Sequence, residues 1–289
     1  MTDSSQSNDA LYHRLFSHPE MVADLLSSFL APDLVAELDL PRMKRLNTKF
    51  TSQKGQRRQG DLIWEIPTRR GGNLFVLLIL EFQSTVDEWM ALRIEVYTGL
   101  LYQQLVDERR LRPCDGLPPV LPIVLFNGES RWNAATSLGE LIHLAAESPL
   151  WKYQPESRYY VIDEGRFPEE ALQGRQELSA LLFRLQHPAS PEAILETGRQ
   201  VVAWFAEHPD GPPVKRLFRE LLAAGLERFQ GSNSLASIPE ELEEVVNMLT
   251  THFEKWARDY EQRGWQMGRQ EGRQEGRQEG RQEGRQEGR

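Results

Sequence analysis

Asp61, Glu81 and Gln83 are the residues whose types and spacing could do chemistry. Asp61 heads the apolar segment Leu62-Ile63-Trp64, and Glu81 directly follows the seven apolar residues Leu74 to Leu80. A carboxylate placed there emerges from a buried strand, where an unpaired charge is expensive. On an extended chain Gln83 shares the face of Glu81, while Phe82 points the other way. Two carboxylates a few ångströms apart raise one another's pKa unless a cation neutralises them. Magnesium or another hard divalent metal does so, taking a near-octahedral oxygen shell from one or two carboxylates, waters and phosphate. Asp61, Glu81 and the Phe82 carbonyl are donors of that kind. Such an ion lowers the pKa of a bound water and stabilises charge on a scissile phosphate, which points to phosphodiester hydrolysis. The plain alternative is that Asp61 starts a strand and Glu81 ends one.

Those residues need a hairpin to bring them together. Segments Met43 to Thr51, Asp61 to Ile66 and Leu74 to Phe82 read as three antiparallel strands, the last two joined through the turn signal Gly71-Gly72. A turn centred near Gly71 sets Asp61 opposite Glu81. Met90, Ile94, Tyr97, Leu101 and Leu105 recur at spacings of three and four, the signature of an amphipathic helix over Asp87 to Val106. Val120 to Phe126 reads as a fourth strand, closed by Asn127-Gly128, and Asp9 to Leu40 as one or two opening helices. Beyond Trp132 the pattern is mainly helical: Leu138 to Glu147, Glu169 to Leu185, Pro191 to Ala206, Val214 to Phe229 and Pro239 to Tyr260. The fold class is α/β: a helix, three antiparallel strands, a helix and a strand over 8–165, then a helical region over 166–262. A tail over 263–289 repeats Gly-Arg-Gln-Glu five times from Gly268 to Glu287 with no apolar residue, and reads as a disordered segment or a frayed helix.

The 289 residues carry a net charge of −9, which alone disfavours a polyanion partner. The distribution is uneven, however. Nine Lys and Arg against Asp61 and Glu65 give residues 41–70 a local +7 and leave −16 for the rest. Within that stretch Lys54, Arg57 and Arg58 are candidates to hold DNA phosphates. One cysteine, Cys114, excludes an intrachain disulfide and points to a reducing, cytoplasmic setting. The polar start does not read as a signal peptide, and the longest apolar run is far short of the roughly 20 residues that cross a bilayer, so no membrane is expected.

Taken in order, Gly60-Asp61-Leu62-Ile63-Trp64, then Leu78-Ile79-Leu80-Glu81-Phe82-Gln83-Ser84, then Met90-Ala91-Leu92-Arg93 with Tyr97, and last Leu121-Pro122-Ile123-Val124-Leu125-Phe126-Asn127-Gly128 resemble the YhgA-like transposases. These are also called the Rpn family of recombination-promoting nucleases, within the PD-(D/E)XK nuclease superfamily. The resemblance covers roughly residues 8–200. It implies a nuclease-like core, metal-dependent DNA endonuclease activity and a link to recombination and mobile DNA. It also matches Asp61 and Glu81 to the metal-binding acidic pair, Gln83 to the superfamily's lysine position, and Arg93 and Tyr97 to the following helix. Arg93 thereby joins the candidate DNA-binding residues and Tyr97 becomes a supporting one. Glutamine departs from lysine because it orients water through an amide but brings no charge. A catalytically inactive DNA-binding or scaffolding protein derived from a nuclease is therefore the second reading. Symmetric double-strand cutting would require a homodimer.

Other candidates carry less. The six histidines show no metal-ligand spacing, and Ser84 has no histidine partner or nucleophile elbow. Asp24 and Glu37, on the opening helices, could add a carboxylate to the metal, although helix acids are usually solvated.

The repeat has no face with which to pack, and its charges nearly cancel. Deleting residues 268–289 should therefore leave both the melting temperature and any intrinsic nicking activity nearly unchanged. Calorimetry and a plasmid assay on the truncated chain check this. A fall of several degrees would mean that the tail is docked as structure.

Overall fold

A computed structural model describes residues 10–46, 61–81, 86–128, 130–188, 190–209, 212–230, 239–251 and 253. Five strands form one sheet in the order β1 (Lys44–Leu46), β2 (Asp61–Pro67), β3 (Asn73–Glu81), β4 (Val120–Phe126), β5 (Tyr160–Asp163). β1, β2 and β3 are antiparallel neighbours, and β4 and β5 run parallel to β3.

The chain enters through a helical segment over residues 10–15, then α1 (Pro19–Phe29) and α2 (Pro32–Ala36). Pro19 at the first position of α1 gives up an amide that has no helical partner there anyway. Ala31, ahead of Pro32, is extended, because the proline ring crowds a helical residue before it. Between β3 and β4 runs α3 (Met90–Asp107), the crossover that a parallel pair needs. After β5 come α4 (Glu169–Leu172), α5 (Leu178–Gln186), α6 (Pro191–Glu207), α7 (Pro212–Gln230) and a helical segment over 242–251.

The sheet is covered on both faces, so its central strand is apolar throughout rather than alternating. Val76 and Leu78 of β3 join Leu62, Trp64 and Ile66 of β2, Ile123 and Leu125 of β4 and Ile162 of β5 on one face. That face is packed by Tyr12, Phe16, Met21, Val22 and Leu25 from the chain start and by Leu181, Phe183, Val201, Phe218 and Val245 from the later helices. Phe75, Leu77 and Ile79 turn to the other face with Ile63 and Val124, where Met90, Ala91, Ile94, Leu101 and Leu105 of α3 cover them. Each such side chain contributes roughly 1.5–3 kcal/mol by leaving water.

The antiparallel strands, the crossover helix and the fourth strand lie where the sequence places them. Three local expectations are corrected. Tyr160–Asp163 is a fifth strand, in a stretch between two expected helices to which the sequence assigns no element. Leu138 to Glu147 holds only a 3-10 turn, Leu138–Leu141, not a helix. The helix expected over Glu169 to Leu185 is two, interrupted at Gly174, whose φ of +82° is left-handed and ends a right-handed helix.

Asp24 joins the two ends of the chain. Its carboxylate accepts the amides of Leu178 (3.1 Å) and Ser179 (2.7 Å) and the Ser179 hydroxyl, so it caps the start of α5 from another helix. Burial raises its pKa while those bonds pull it down. Asp24→Ala should cost about 1–2 kcal/mol, read as a lower denaturation midpoint at unchanged slope. Asp24→Asn, which keeps an acceptor oxygen, should cost less.

Candidate active site at the sheet edge

The hairpin is built differently from a turn centred on Gly71. Pro67 faces Asn73, and the five residues between them are centred on Arg70. Gly71 and Gly72 both have positive φ, +97° and +84°, and the loop is closed by the Thr68 amide on the Gly72 carbonyl (3.0 Å) and the Thr68 hydroxyl on the Gly71 carbonyl (2.6 Å). Asp61 therefore faces Ile79 rather than Glu81. Glu81 lies two residues further along β3, one full repeat of the strand's alternation, so the two positions keep the same register parity.

Because β3, β4 and β5 are parallel, their C-terminal ends line up: Glu81 is level with Phe126, and Phe126 with Asp163. β2 runs the other way, which brings its first residue, Asp61, to that same edge. The candidate site is thus one edge of the sheet, the side on which open parallel sheets usually place ligands. Phe82, Gln83, Lys54, Arg57 and Arg58 lie outside the described residues. Among the described residues there is no cluster of three His, Cys, Asp or Glu able to hold a metal.

Arg93, one turn into α3, is mostly buried. Its guanidinium lies 3.5 Å from Asp87 and 5.7 Å from the centroid of the Tyr97 ring, so the two helix positions do meet. Asp87 also accepts the Trp89 amide (3.0 Å) and thereby shapes the start of the helix. Asp24 is committed to capping α5, and Glu37 pairs with Arg70 at 3.4 Å. Of the basic stretch, Arg42, Lys44, Arg45, Arg69 and Arg70 are exposed.

The same edge holds residues that the sequence did not single out. Asn127, just past β4, donates to the Tyr12 hydroxyl (3.1 Å), and Tyr12 donates to Glu164 just past β5 (2.9 Å). Asp163 accepts the Trp132 amide (3.0 Å), and the Trp132 ring meets Phe126 edge-on at 5.1 Å. Glu164 is fully buried. Loss of water lifts its pKa well above the ordinary range, the Tyr12 hydrogen bond pulls it down, and the Asp163 charge raises it further. His187 lies 3.8 Å from the same oxygen, and burial lowers its own pKa. The Tyr12 hydroxyl thus links the Asn127 amide to the Glu164 carboxyl inside the core. The signal that could have found Asp163 and Glu164 is the one that found Glu81: acids at the end of an apolar run, here the pair that follows Tyr159 to Ile162.

Residues 6–211 match the protein family described as "Putative transposase, YhgA-like". Among curated proteins, the chain is 24% identical to "Recombination-promoting nuclease RpnD" of Escherichia coli O157:H7 over 85% of its own length and 93% of that protein's. It is 22% identical to "Inactive recombination-promoting nuclease-like protein RpnE" of Escherichia coli K12, covering 92% and 87% of the two chains. A shorter relative, "Putative inactive recombination-promoting nuclease-like protein YjiP", is 30% identical over 33% of this chain and 91% of its own. No solved structure matches.

Glu164 supplies a pH test. Below the ordinary carboxyl range folded and unfolded chains both hold its proton. As pH rises, the unfolded chain ionises first, and stability falls by up to about 1.4 kcal/mol per pH unit until the folded pKa is passed. Glu164→Gln, which cannot ionise, should match the parent at low pH and gain on it in parallel thermal melts as pH rises above the ordinary carboxyl range. A constant difference at every pH would refute the assignment.

Proposed function

We propose that this chain, which belongs to the YhgA-like transposase family, is a metal-dependent DNA endonuclease with a PD-(D/E)XK nuclease core, linked to recombination or mobile DNA. The observation that carries the reading is the register: Asp61 and Glu81 occupy same-parity positions on adjacent strands at one sheet edge. Positions diagonal across an antiparallel pair lie about 7–8 Å apart. Asp61 and Glu81 would hold a single hard divalent ion between them. The fit is to a hard divalent cation, magnesium first, with the Phe82 carbonyl as a further oxygen donor. Such a cation, when bound, supplies an activated water and neutralises charge on the phosphate.

The chain's own residues do the rest. Gln83, two positions beyond Glu81, offers an amide that accepts from the attacking water with its oxygen and donates to a phosphate oxygen with its nitrogen. Lys54, Arg57 and Arg58 hold phosphates without reading bases. Arg93, anchored by Asp87 and Tyr97, adds a charge beside the edge. Phe126, level with Glu81 on β4 and packed edge-on against Trp132, would supply an apolar flank to the site.

A DNA-binding or scaffolding protein without catalysis is the second reading. It is favoured by the two relatives named inactive and by glutamine in place of lysine. Supercoiled plasmid with magnesium separates the two. The parent should nick, while Asp61→Ala and Glu81→Ala should each lose at least about a hundredfold, since several kcal/mol of charge stabilisation disappear at 1.36 kcal/mol per decade. Equal inactivity of all three chains across divalent metals supports the scaffold.

A further inference from the structure

The outer face of α3 has no covering element among the described residues. Its inner face, Met90, Ala91, Ile94, Leu101 and Leu105, is buried on the sheet. On the opposite side Leu92 is 44% exposed, Val96 50% and Val106 53%, with Trp89 just before the helix at 63%. With Gly99 and Gln103 these positions repeat at three and four residues, the spacing of a helix–helix seam rather than of a solvated face. Between Leu92 and Val106 the stripe holds no charged residue. Gly99 sits at the middle of the helix, and a Cβ there would meet nothing within 4 Å, so a second backbone can approach closely.

The stripe is also self-complementary about Gly99. In an antiparallel pair crossing there, Leu92 meets Val106 of the second copy, and Trp89 meets Arg109. Glu88 then lies beside Arg109 of the second copy, whereas Arg110 is already paired with Glu65 of its own chain, and each contact occurs twice. Glu88, Trp89 and Arg109 are all exposed, and Arg109 is held at the end of the helix in the left-handed region, φ +56°. A parallel pair would instead set Asp87 and Glu88 against their own copies. We infer that this face is a two-fold homodimer interface in which α3 packs antiparallel on α3 of a second copy, crossing at Gly99. The inference does not rest on the nuclease reading.

Eighteen residues of helix span about 27 Å, and a seam of that length buries roughly 400 Å² per copy. Counted over both copies that is about 800 Å², below the roughly 1,000 Å² of a stable interface, so the dimer should be a weak and reversible one, micromolar or weaker.

The test is sedimentation equilibrium of the full chain from about 1 to 100 μM, the range in which a micromolar dimer forms. The parent should shift from monomer to dimer mass. Val96→Glu, at a solvated position, should stay monomeric with an unchanged melt. Glu88→Arg should weaken the dimer by about tenfold, and adding Arg109→Glu to the same chain should restore it, because the swapped charges meet again across the two-fold axis. A parent monomeric at the highest concentration overturns the proposal. So does a dimer that tolerates Val96→Glu but dissociates when residues 263–289 are deleted, which would assign self-association to the tail.

Discussion

β3 is buried on both faces and bonded along both edges, and the rest of the molecule follows from that. A strand with Val76 and Leu78 on one side and Leu77 and Ile79 on the other cannot face water, so the sheet needs a helical layer above and below it. Its parallel neighbour β4 in turn requires a crossover, and α3 meets that need while covering one of the two faces. The strand ends where the apolar run ends, with Glu81 as its last residue, level with Phe126 of β4.

Much of this was legible in order and little of it in detail. The antiparallel strands, the crossover helix and the fourth strand are long or strongly periodic, and such segments declare themselves. The hairpin register was displaced because a five-residue loop ending in two left-handed glycines has its centre one residue before Gly71, which moves every pairing by two. The parity survived, and with it the shared edge of Asp61 and Glu81. β5 was missed because four residues are too few for alternation to show, and its stability comes from pairing with β4, an interaction 37 residues away for Ile123 and Tyr160. With β5 went Asp163 and Glu164. Their link to Tyr12 joins the two ends of a fold, and no local pattern encodes a hydrogen bond spanning 152 residues.

The edge is organised at two levels. Asp61 and Glu81 are set by the register of paired backbones, which admits only steps of two residues if a face is to stay inside. Asn127, Tyr12 and Glu164 are set by side-chain hydrogen bonds that reach from the opening helix to the ends of β4 and β5. The second arrangement ties the ends of β4 and β5 to the opening helical segment.

The opening helices have a consequence for synthesis. Leu15, Phe16, Met21 and Leu25 belong to a core completed by α5, α6 and α7, and Asp24 caps a helix that begins 154 residues later. At about 5–20 residues per second a ribosome needs roughly 8–30 s to make that intervening length. For part of that interval the amphipathic α1 has left the exit tunnel while its partners in α5, α6 and α7 are not yet translated. A nascent chain of this protein should thus depend on holdase protection early, at its N-terminal end, for the first apolar surface made is among the last to be covered.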